Sequence, residues 1–65
     1  MRFAVDNMTC GHCARTITCA LQAIDPGARI DVDLAGGTVT VDGAIDGERA
    51  IAAMGAEGYP ARLLS

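Results

Sequence analysis

Cys10 and Cys13 stand three positions apart in Met8-Thr9-Cys10-Gly11-His12-Cys13, where a strand pattern gives way to a helix pattern. Thiolates are soft ligands that favour Cu(I), Zn(II) and other thiophilic ions over hard cations. A closed structural zinc site takes four protein ligands, and two cysteines are too few for it. The pair therefore reads as an open two-thiolate site that holds a soft ion and can give it up, which points to metal trafficking. The spacing puts Cys13 in the first turn of the helix, near amide N–H groups without an intrahelical partner and the positive end of the dipole, a position that favours thiolate over thiol. Cys10 comes just before it, in a loop that can be reached from outside.

Three other side chains could assist. Met8 offers a thioether, which suits Cu(I), although a Met beside such a loop more often packs into the core as a flexible filler. His12 could add a third ligand or tune the thiols, but its helical position points away from the apolar stripe and into solvent. Tyr59 either caps the core edge with its amphipathic ring or shields the site and bonds near a sulfur. Cys19 is the odd thiol. It lies six residues and a rise of about 9 Å beyond Cys13, so it can neither complete the same site nor form a disulfide with it. Helical geometry places it opposite the buried stripe, as an exposed thiol.

The elements that must hold these residues are legible in the apolar pattern. Phe3 and Val5 alternate with Arg2, Ala4 and Asp6 in a first strand, and Asn7 through Cys10 form a loop. Ala14, Ile17, Leu21 and Ile24 recur at helical spacing until Asp25-Pro26-Gly27 ends the helix. Ile30, Val32 and Leu34 alternate with Arg29, Asp31 and Asp33 in a second strand, Ala35-Gly36-Gly37 turns the chain, and Val39 and Val41 mark a third. Asp46 caps a second helix that buries Ile51 and Met54, with Gly55 and Gly58 loosening its end. Tyr59 through Leu64 form a short last strand, at an edge because of Pro60. The order β-α-β-β-α-β predicts an α+β, ferredoxin-like fold: a four-stranded antiparallel sheet with both helices on one face. Asp31, Asp33 and Asp42 are then the wet side of the strands and carry no chemistry.

With 65 residues the chain, 1–65, is expected to form one small domain. Its single Phe, single Tyr and lack of Trp demand an aliphatic core. Five arginines, scattered singly against eight acidic residues, make no basic stripe, which argues against nucleic acid. An acidic surface suits docking to a more basic protein. Neither a signal peptide nor a membrane-spanning run is present, and an odd count of three cysteines fits a reducing cytoplasm. No paired-carboxylate, Ser-His-Asp or phosphate-loop arrangement occurs.

The Met8-Thr9-Cys10-Gly11-His12-Cys13 motif ahead of a helix, in a β-α-β-β-α-β chain of this length, resembles the heavy-metal-associated (HMA) domain family. It is most similar to the small bacterial copper chaperones of CopZ type, which pass Cu(I) to P-type ATPases. The resemblance covers essentially the whole chain. It implies that Cys10 and Cys13 bind one Cu(I) in near-linear fashion, and Thr9 is similar to copper-handling members. Tyr59 in Glu57-Gly58-Tyr59 matches the bacterial form, where eukaryotic relatives usually carry Lys. Asn7 departs from the Gly that many members have there. The implied partners are glutathione or a similar thiol as donor, a Cu(I)-transporting P-type ATPase as acceptor, and a copper-sensing regulator as a second acceptor. The apo chain would be a monomer, and two chains could share copper across exposed cysteines. The rivals are mercuric or other soft-metal binding, an excised domain of a copper ATPase, and a thiol oxidoreductase. Met1 directly before the first strand favours a complete chain over an excised one, and no substrate bond is made or broken by a carrier, so an enzyme is not expected.

Overall fold

Period-two alternation builds the sheet. In the computed structural model, which describes residues 1–8 and 11–64, the strands are β1 (Arg2–Val5), β2 (Arg29–Asp33), β3 (Thr38–Asp42) and β4 (Ala61–Leu63). They pair antiparallel in the order β2-β3-β1-β4. Register puts Val32, Val39, Phe3 and Leu63 in one row across all four strands, and Ile30 opposite Val41 in the next. The apolar members of these rows share a face, since directly opposed residues point the same way. The other face carries Asp31, Asp33 and Asp42, all exposed as expected.

Two helices join the strands: α1 (Gly11–Ile24) and α2 (Gly47–Ala56). With two helices and four antiparallel strands, the fold is ferredoxin-like α+β. Phe3, Val39 and Val41 from the sheet, Ile17 and Leu21 from α1 and Met54 from α2 form the centre of one core, each almost wholly removed from water. Burying an aliphatic or aromatic side chain of this size contributes about 1.5–3 kcal/mol, so an aliphatic core with one ring suffices. The stripe of α1 differs by one position from the expected one. Cys13, Ile17 and Leu21, at four-residue steps, are its buried residues, while Ala14 and Ile24 are half-buried.

The connections show where local chemistry overrode pattern. β2 stops at Asp33, one residue short of Leu34, because the Asp33 carboxylate accepts the Gly36 amide at 3.1 Å and the Leu34 carbonyl accepts the Gly37 amide at 3.3 Å. Leu34 therefore enters the turn and is 36% exposed rather than core-facing. At the end of α1 the Asp25 carboxylate accepts Gly27 N–H at 3.1 Å and, through its other oxygen, Ala44 N–H at 3.0 Å, pinning the β3–α2 connection to the helix terminus. Asp46 caps α2 as expected, accepting the Glu48 amide at 3.2 Å.

The far end of α2 is tighter than two loosening glycines would make it. Gly55 lies inside the helix, and Glu57 is its C-cap. Gly58 follows with φ +89°, its amide bonded to the Gly55 carbonyl at 3.0 Å, while the Tyr59 amide reaches the Met54 carbonyl at 2.9 Å. That pair of bonds is a Schellman motif, in which a left-handed residue, usually Gly, closes the last turn. It spends Tyr59 on the cap, so β4 begins only at Ala61 and is shorter than the expected 59–64. Pro60 sits just ahead of that edge strand, and its carbonyl accepts the Asp6 amide at 2.8 Å.

Candidate metal-binding site

The chain leaves β1 through Asp6, Asn7 and Met8 and resumes as α1 at Gly11. Thr9 and Cys10 lie outside the described residues. Asn7 has φ +66°, the one non-glycine positive φ among the described residues. The left-handed region is open mainly to Gly, with Asn among the few other residues that enter it routinely. The Asn7 backbone thus turns sharply and delivers Met8 into the core, where it is 7% exposed. The packing reading of Met8 is what its burial describes.

Cys13 is the third residue of α1 and is also 7% exposed. Its thiol donates to the Asn7 carbonyl oxygen at 3.9 Å. The expectation of two exposed thiols is therefore corrected for Cys13: its spacing to Ile17 and Leu21 puts it on the core face. The first turn of α1 carries no acidic residue, whereas α2 has Glu48 there. Cys13 thus sits at the positive end of the α1 dipole, which favours a thiolate there.

His12 is exposed, in agreement with its place on the helix. Cys19 is exposed and on the opposite side of α1 from the core, so it is separated from Cys13 as expected. Tyr59 is half-buried and packs against the core. Two bonds bring its backbone beside the β1–α1 connection: Asn7 Nδ2 donates to the Gly58 carbonyl at 3.4 Å, and Asp6 N–H donates to the Pro60 carbonyl at 2.8 Å. Residues 6 and 7 therefore straddle Tyr59. The fold brings Met8, Cys13 and Tyr59 to one end of the molecule, with His12 on its outer surface. Among the described residues, no group of three or more His, Cys, Asp and Glu side chains could hold a metal.

Sequence reasoning underrated Asn7, treating it as a departure from Gly. The signal was available: Asn directly after a strand and before a buried Met is one of the few side chains that can replace Gly at a left-handed turn.

This arrangement, a cysteine opening a helix after a β1 strand in a βαββαβ chain, coincides with a family model. The heavy-metal-associated domain matches residues 2–60. The chain belongs to that family. The fold superposes on the copper chaperone Atx1 from Synechocystis PCC6803 (Cu2 form) with a TM-score of 0.91 and 29% identity, over 95% of this chain and 98% of that one. A gold binding protein gives a TM-score of 0.90 and 35% identity over 95% of each chain. The CopZ metallochaperone gives 0.87 and 30% identity, over 95% of this chain and 97% of that one. No curated protein matches the chain. No helix among the described residues of this heavy-metal-associated domain is long and apolar enough to cross a membrane.

Proposed function

We propose that this heavy-metal-associated domain is a copper(I) chaperone. Cys10 and Cys13 bind one Cu(I) as a dithiolate and pass it by ligand exchange to a Cu(I)-transporting P-type ATPase in the cytoplasm. The observation that carries this reading is Cys13 in the first turn of α1, on a fold shared with Atx1 and CopZ. Two thiolates give affinity for a soft monovalent ion, and a coordination number of two leaves room for an incoming ligand. On uptake each thiol loses its proton to solvent and its sulfur binds Cu(I). A thiolate of the acceptor then attacks the ion to give a three-coordinate intermediate, and one of Cys10 and Cys13 leaves. A second acceptor thiolate displaces the other by the same route, each freed thiolate regaining a proton from solvent. Copper stays Cu(I) throughout, and no substrate bond is made or broken, so the carrier is not an enzyme. Glutathione or a similar thiol is the donor, and a copper-sensing regulator is a second acceptor.

The gold-binding neighbour favours a second reading, in which the same dithiolate serves another soft ion such as Au(I) or Hg(II). Cellular induction separates the two, since induction by another soft metal but not by copper assigns that metal.

The decisive experiment is anaerobic titration of the reduced chain with Cu(I) against a competing chelator. Wild type should take up one Cu(I) tightly, and the Cys10→Ser/Cys13→Ser variant should lose it. Uptake that survives the double substitution would sink the reading and move attention to Cys19.

A further inference from the structure

We propose that Asn7 is the positioning residue of the metal loop, tying the first turn of α1 to the C-terminal cap of α2. This rests on the reading of Cys10 and Cys13 as metal ligands. Asn7 is the point where three constraints meet. Its backbone occupies the left-handed region at φ +66°. Its carboxamide N–H donates to the Gly58 carbonyl at 3.4 Å, across a sequence separation of 51 residues. Its own carbonyl accepts the Cys13 thiol at 3.9 Å. One residue thus touches a ligand thiol with its backbone and the Schellman turn that presents Tyr59 with its side chain.

Either contact alone would be weak, the first being long and exposed and the second a thiol bond. Their value lies in what they join. Gly58 is itself held by the Gly55 carbonyl, and the neighbouring Asp6–Pro60 bond fixes the chain on the β1 side. Asn7, and with it the Cys13 thiol that its carbonyl accepts, is therefore anchored to the cap of α2. Holding a ligand loop in place before the ion arrives raises affinity by reducing the ordering that binding requires. Glycine at this position would supply the backbone angle but no amide to reach across to α2. Aspartate would tolerate the angle, yet an ionised carboxylate only accepts hydrogen bonds and would face the Gly58 carbonyl without a proton to share.

That contrast defines the test. Asn7→Gly keeps the positive φ without strain and removes the amide, so its urea midpoint should fall by no more than the loss of one modest hydrogen bond and the added chain entropy of Gly allow. Its Cu(I) should pass to a chromogenic Cu(I) chelator about three- to tenfold faster, the scale of one modest hydrogen bond. Asn7→Asp should release copper at least as fast as Asn7→Gly. Wild-type release rates in both variants, or a change in Asn7→Gly that merely follows lost stability, would overturn the proposal. Should wild type fail to hold Cu(I) through Cys10 and Cys13, the functional reading falls by itself. The tie is then read in the apo protein by amide hydrogen exchange at Gly58 and Tyr59. Faster exchange of both amides in Asn7→Gly supports it, and exchange equal to wild type refutes it.

Discussion

Gly55 and Gly58 stand three residues apart at the end of α2, and replacing each with Ala should move stability in opposite directions. A Cβ built on either glycine meets no heavy atom within 4 Å, so space does not distinguish them. Backbone angle does. Gly55 is inside the helix, where Ala exceeds Gly by about 0.5–1 kcal/mol because Gly loses more backbone freedom on folding. Gly58 sits at φ +89°, where an L side chain costs about 1–2 kcal/mol. The entropy that Ala removes from the unfolded chain returns about 0.4–1 kcal/mol of that, leaving a net loss of about 1 kcal/mol. For a domain of this size 1 kcal/mol shifts Tm by about 4–8 °C. Gly55→Ala should therefore raise Tm by about 2–8 °C, and Gly58→Ala should lower it by about 4–8 °C. Thermal denaturation followed by far-UV circular dichroism, with urea titrations in parallel, measures both. A Gly58→Ala variant as stable as wild type, or two variants moving the same way, would refute the Schellman cap as the device that positions Tyr59.

Gly43→Ala should destabilise for a different reason: its Cβ would lie 2.8 Å from the Ala28 Cβ and 3.0 Å from the Ala28 Cα, a backbone atom that cannot swing aside. Overpacking of this kind costs about 1–3 kcal/mol, to be read as a lower urea midpoint. Met8→Leu is a nearly volume-conserving exchange at a core position and should keep Cu(I) affinity at the wild-type value while costing less than about 1.5 kcal/mol in stability. A tenfold drop in affinity, measured by chelator competition, would instead assign the thioether to the metal.

Much of the fold was legible because period two and period 3.6 do not imitate each other. Phe3, Val5, Val39 and Val41 announced their strands, Ile17 and Leu21 their helix, and Asp46 its cap. The same signals placed Cys19 away from Cys13 and left Asp31, Asp33 and Asp42 in water. The limits were local. The stripe of α1 was read through Ala14 when Cys13 holds the buried place, since a small apolar residue and a thiol look alike at neighbouring helical positions. Leu34 was read as inward, but the Asp33 carboxylate draws the turn one residue earlier. Asn7 and Gly58 gave no periodic signal at all, because a left-handed angle is a property of one residue and its partners.

The sequence by itself determined the element order, the apolar faces and the pair of thiols beside a helix start, since composition and spacing carry that information along the chain. Tertiary structure alone decided that Asn7 meets Gly58 and that residues 6 and 7 straddle Tyr59. Those contacts join positions more than fifty residues apart. Only the sheet order, which seats β4 beside β1, brings the cap of α2 to the loop that leads into Cys10.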